Sequence, residues 1–207
     1  MQIHTLSKIA ASLLLCGLAE HAGAQTVVFD SYAPGNEVLG WTTPLFQGQD
    51  VAIPFDITTA TSIQSILTSI ERFEGTAGVT LGILSRQGAV PTGASWLYST
   101  HLANPVANTL LTPAGWSLAA GSYWLAAVPD AGFDGQWQSG IDSPAVATAW
   151  AYSPDGVWTA MNSAFIGQPA ARITVLSAVP EPSTYGLMFA GGLLLAAVAR
   201  RKSSQQG

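Results

Sequence analysis

Val51, Ile53, Phe55 and Ile57 stand at every second position of one short stretch, with Ala52, Pro54 and Asp56 between them. A period of two puts the four large side chains on one side of an extended strand, and no helix can gather them on one face. Val79–Ser85 repeats the pattern with Val79, Leu81 and Ile83. Further strand candidates are Thr26–Ser31, Ala94–Leu102, Ser122–Val128, Gly135–Ser139, Ala145–Tyr152, Gly156–Ala160 and Ala171–Leu176. Turn signals divide them: Glu74-Gly75, Ala114-Gly115, Ala120-Gly121, Phe133-Asp134-Gly135 and Pro154-Asp155-Gly156. Ser62–Phe73 reads both ways, with Ile63, Ile66, Leu67 and Ile70 at helical spacing but Ile66, Thr68 and Ile70 also alternating. Its β-branched content favours a strand. Many short strands at this spacing predict an all-β fold, an antiparallel β-sandwich or jelly-roll-like domain.

Composition bounds what such a domain does. Charged residues make up 9% of the 207, far under the quarter of an average globular chain. Between Gln25 and Ala178 ten acids face three bases, Arg72, Arg86 and Arg172, a net of −7. Nucleic-acid binding needs cations to neutralise phosphates, so that class is excluded. The one cysteine, Cys16, lies in the N-terminal apolar run, so the domain has neither a disulfide nor a thiolate metal site. Packing must hold it together.

The two ends read as targeting segments. Lys8 precedes the apolar run Ile9–Leu18, and Ala22-Gly23-Ala24 has small residues at Ala22 and Ala24. That is the pattern of a signal peptide over residues 1–24, cut by signal peptidase after Sec export. At the other end, Tyr185–Ala199 carries no charge over fifteen residues and is followed by Arg200, Arg201 and Lys202. As a helix it would be about 22 Å long, short of a ~30 Å hydrocarbon core. Snorkelling arginines and local thinning make up the difference. The basic cluster is a membrane stop that stays cytoplasmic and leaves residues 25–178 outside. Pro180 and Pro182 keep the segment just before the helix extended.

Val179-Pro180-Glu181-Pro182-Ser183, then an apolar helix, then Arg200-Arg201, together resemble the PEP-CTERM sorting signal. That resemblance implies a substrate of an exosortase, a membrane transpeptidase with a cysteine nucleophile, and a tail recognised and cut near Pro180–Pro182. The expected divisions are residues 1–24, 25–178 and 179–207. The last splits into the motif at 179–184, the helix at 185–199 and the basic tail at 200–207. A second resemblance lies in Leu118-Ala119-Ala120-Gly121-Ser122-Tyr123-Trp124-Leu125, which looks like a late strand of choice-of-anchor-like β-sandwich ectodomains. In that strand Tyr123 and Leu125 face one side and Trp124 the other.

Little in the domain is arranged for chemistry. His101 is the only histidine left after the leader, and no Gly-x-Ser-x-Gly elbow is present. Asp130 and Asp134 flank Gly132 in a loop where Asp and Gly supply turn geometry. Their oxygens would suit calcium, but Gly132 and Ile141 depart from an EF-hand loop, and no other metal or cofactor is expected. Of the seven tryptophans, most belong in a sandwich core. Trp137, between Gln136 and Gln138, reads either as core or as an exposed platform for a sugar ring beside Asp130 and Asp134. The expectation is an exported, membrane-held, non-enzymatic surface or matrix protein associated with exopolysaccharide and biofilm. The alternative is a carbohydrate-binding module, and the most distant is a hydrolase built on Asp130, Asp134 or His101.

Overall fold

The structure, a computed structural model, describes residues 24–92, 95–140, 149–153, 156–162, 167–177, 186 and 189–191. The chain divides into two compact units, Gln25–Ser177 and a second drawn from the two ends. In the second unit the described Gly186 and Phe189–Gly191 are helical, and Phe189 is exposed. Among the described residues no helix is long and apolar enough to cross a membrane. The expected leader apart from Ala24, the sorting motif and nearly all of the expected span at 185–199 lie outside the described residues.

Unit Gln25–Ser177 is built from strands. In chain order they are β1 (Ala24–Asp30), β2 (Leu39–Phe46), β3 (Asp50–Ile57), β4 (Thr61–Thr68), β5 (Ile70–Glu74), β6 (Val79–Ser85) and β7 (Tyr98–Leu102). Then follow β8 (Thr109–Leu111), β9 (Ser117–Leu118), β10 (Gly121–Pro129), β11 (Asp134–Ser139), β12 (Ala149–Ser153), β13 (Thr159–Asn162) and β14 (Ala171–Ser177). A six-stranded sheet runs β13-β12-β3-β10-β6-β7. A five-stranded sheet runs β1-β14-β4-β8 with β9 also on β4, and a three-stranded sheet runs β2-β11-β5. The all-β expectation holds, and β3 and β6 begin and end where the alternation does.

The six-stranded sheet presents Val51, Ile53, Phe55 and Ile57 of β3, Val79, Leu81 and Ile83 of β6, and Tyr123, Leu125 and Ala127 of β10 to one continuous core. Phe29, Leu45, Ile63, Ile66, Ile70, Trp137, Ile173 and Val175 meet them from the other two sheets. Two layers therefore bury one interior, as a sandwich does. Each fully buried Leu, Ile or Val contributes about 1.5–3 kcal/mol by leaving water. The outer side of β10 is buried too. Trp124 and Ala126 pack with Ala52 and Leu84 under the half-buried Trp96 and Trp158. The Arg86 guanidinium lies 5.4 Å from the Trp124 ring centre.

Ser62–Phe73 is extended, as parts of β4 and β5 with Ser69 between them, and the reason it looked helical is visible. Val175 pairs with Ile63 and Thr174 with Ser65, so Gln64 is an extra residue in β4. Such a bulge resets the alternation, and Ile63 and Ile66, three apart, both enter the core. β2 carries Pro44, which cannot donate to a ladder, and it forms the edge of its sheet.

The account of the core predicts that Leu125→Ala, at 0% exposure, lowers unfolding free energy by about 2–5 kcal/mol. Leu110→Ala, at 61% exposure, should change it by no more than about 0.5 kcal/mol. Urea unfolding of the two variants measures both.

Candidate functional site

Asp130 follows β10, and the loop it opens leads into β11. Its Oδ2 lies 2.7 Å from His101 Nε2 on β7, a bond the ring N–H can donate. The same oxygen accepts the Gly78 amide at 3.1 Å, and the Asp130 amide donates to the Gly78 carbonyl at 3.0 Å. A Cβ at Gly78 would stand 2.6 Å from the His101 ring, so glycine is what lets the imidazole lie against that backbone. The His101 bond above all, and the Gly78 amide, hold the Asp130 carboxyl below the usual carboxylate range. Both side chains are partly open to solvent. The arrangement ties the edge strand β7 to the end of β10. It is not a free pair of carboxylates, because Asp130 is committed to His101 while Asp134 stands exposed at the start of β11, opposite Phe46 and Glu74.

Trp137 settles as core. It is fully buried and donates its Nε1–H to the Ala170 carbonyl at 2.9 Å. The sugar-platform reading of Trp137 is therefore corrected: alternation along β11 turns it inward and turns Gln136 and Gln138 outward. Those two amides both donate to Glu71 Oε1 on β5, Gln138 at 3.1 Å. Gln138 Oε1 in turn accepts the Ser69 hydroxyl at 2.5 Å. The exposed tryptophan of this sheet is Trp41, at 64%, accompanied on β2 by the exposed Phe46. In sequence Trp41 sits in Gly40-Trp41-Thr42-Thr43-Pro44, where no clean alternation assigns it a side.

No cluster of three or more His, Cys, Asp or Glu side chains placed to hold a metal occurs among the described residues. In the loop whose Asp oxygens would suit calcium, Asp130 pairs with His101. Nothing in sequence spacing joins residues 101 and 130. Only the β6–β7 and β6–β10 pairings bring them together.

The segment that carries sorting information leaves from β14, which is hydrogen-bonded on both sides, to β1 and β4. β14 ends at Ser177, directly before the region of interest. Residues 178–202 match the family described as "PEP-CTERM protein-sorting motif". The chain carries a PEP-CTERM sorting motif. No curated protein matches the chain. The PEP-CTERM match covers Val179, Pro180, Glu181, Pro182 and Ser183 together with Arg200, Arg201 and Lys202, all outside the described residues. A PEP-CTERM motif implies an exported protein sorted by an exosortase to the cell surface. The PEP-CTERM match begins at the residue that follows Ser177, the last residue of β14.

The lowered Asp130 carboxyl sets a pH dependence. Its contribution to stability is complete above the unfolded carboxylate pKa and is lost as pH falls through the lower folded value. Thermal melts at neutral pH and at about pH 3 should show a larger loss for the native chain than for Asp130→Asn, with the gap small because the pair is solvent-screened. Equal losses in both would remove the pairing from the account.

Proposed function

We propose that this chain is a non-enzymatic surface or matrix protein whose β-sandwich is exported behind a leader and delivered by an exosortase. Its final setting is the extracellular polysaccharide or biofilm of the producing cell. The observation that carries the reading is the PEP-CTERM match at residues 178–202, beginning one residue after the last core strand. The described strands between Gln25 and Ser177 form a sandwich around a core of their own. The tail is then a label for recognition, with Val179–Ser183 as the recognised segment, the apolar run as its hold in the bilayer and Arg200–Lys202 as the stop. Signal peptidase, the Sec pathway and the exosortase are the partners this requires. The acidic, cysteine-free domain of net −7 suits an exported setting and supplies no cationic surface for nucleic acid.

Replacing Pro180, Glu181 and Pro182 together by alanine tests this in the producing cell. The expected outcome is a full-length tail retained in the membrane fraction, read by intact mass. Normal trimming and normal surface delivery of the triple variant would contradict it.

A second reading, carbohydrate binding by the domain, is favoured by one feature of the three-stranded sheet. The exposed Trp41 and Phe46 share that sheet with the Gln136–Gln138–Glu71 ladder of amides and a carboxylate. An aromatic ring can stack on a pyranose while amides and carboxylates meet its hydroxyls. Trp41→Ala should weaken binding to the producing cell's own polysaccharide by at least about tenfold, equivalent to 1.4 kcal/mol. Undiminished binding, or none by the native chain, would remove the reading.

A further inference from the structure

We infer that the domain stands on the membrane on one particular end, the end at which β1 begins and β14 finishes, and that its acid-bearing end points away from the lipid. The inference rests on the tail-anchored reading above and extends it to an orientation.

The geometry starts with the first and last strands, which are neighbours in one sheet. Ser31, just past β1, donates its N–H to the carbonyl of Ala171, the first residue of β14, at 3.0 Å. Its hydroxyl donates to the Pro169 carbonyl at 2.8 Å. Arg172 reaches Asp30, the last residue of β1, at 2.8 Å, and Asn36 at 2.6 Å. The start of β14 thus lies at the finish of β1. The two strands run antiparallel, which brings Gln25 beside Ser177. The leader and the tail therefore depart from adjacent strands at one end of the domain, the near end.

Other strands place the remaining turns. Ser62 pairs with Leu176 and Leu118 with Thr61, so β4 begins and β9 lies at the near end. Gly121 pairs with Ile57, which puts the β3–β4 turn (58–60) and the β9–β10 turn (119–120) there too. The far end holds Asp50, paired with Ser153, and Pro129, paired with Val79.

Charge is divided along the same axis. Of the eight described acids, Asp30, Glu37, Asp50, Glu71, Glu74, Asp130 and Asp134 lie at or beyond the far ends of β1, β3, β4 and β10. The exception, Asp56 near the finish of β3, has Arg86 at 3.8 Å. Two near-end turns, Thr58-Thr59-Ala60 and Ala119-Ala120, carry no charge, and Arg86, just past β6 at the same end, offsets Asp56. Anionic headgroups repel carboxylates over a Debye length of about 8 Å at physiological salt. A near end without net charge can approach them, and an eight-residue strand carries the far acids roughly 25 Å away. The attachment points and the charge distribution are independent observations that select the same end.

Energy transfer on the full chain tests the orientation. In a Cys16→Ser background, a donor dye is placed through Thr59→Cys at the near end or Gln47→Cys at the far end. The chain is reconstituted into phosphatidylethanolamine and phosphatidylglycerol vesicles carrying a headgroup-labelled acceptor lipid. Ala120→Cys and Ala131→Cys repeat the comparison on the two turns that flank β10. All four sites are exposed turn positions. Near-end donors should transfer at least about twofold more efficiently than far-end donors, given the strand-length offset. Equal or reversed transfer on vesicle-bound protein would overturn the orientation while leaving the anchor intact. Failure of the chain to associate with vesicles would overturn the tail as an anchor, and the orientation with it.

Discussion

Burial of β10 on both faces is the constraint on which the rest of the sandwich depends. Its pairing with β3 and β6 aligns Leu125 with Ile53 on one side and Ile83 on the other, and these three residues are fully buried. Trp124 on the opposite face is 1% exposed, beneath Trp96, Trp158 and Arg86. A domain with no disulfide has to gain its stability from this kind of two-sided packing. Tyr123 secures the entry to the strand. Its ring stacks on Phe55 at 5.6 Å, and its hydroxyl donates to the Ala119 carbonyl at 2.9 Å. The tight turn before Gly121 is thereby fastened to the core and is more than a change of direction.

Much of the fold was legible because burial on one face writes itself as alternation. β3, β6 and β10 declared their inward sides in sequence, including the opposition of Trp124 to Tyr123 and Leu125. Where the ladder departs from regular pairing, the pattern failed. The extra residue Gln64 gave β4 the spacing of a helix, and Pro44 and the outward Trp41 concealed the edge strand β2. β8 and β9 were missed because three residues and two residues are too few to show a period. Trp137 was ambiguous for another reason. Polar neighbours on both sides describe the opposite face of a strand as well as they describe an exposed ring, and only the sheet above it decides.

The candidate site divides along similar lines. The sorting segment is contiguous, so its proline pair, apolar run and basic cluster are readable in one pass and match the PEP-CTERM motif. The His101–Asp130 pair joins residues from separate strands, and its existence follows from sheet order alone. The same holds for the closeness of the two ends of the domain. A first strand lying beside the last one lets the sandwich close while both ends leave in the same direction. That topology suits a protein handled at a membrane from both sides of its sequence, and it leaves the three-stranded sheet, with Trp41 and the Glu71 ladder, free of either attachment.

The central claim is that the sandwich is cargo and that both terminal segments are removed in its delivery. Intact-mass analysis of the native protein, taken from the surface and membrane fractions of the producing cell, tests it most directly. The account predicts a mature chain that starts at Gln25 and ends within residues 178–183. A native product of the full 21.5 kDa, recovered from the soluble interior of the cell with both ends in place, would contradict it.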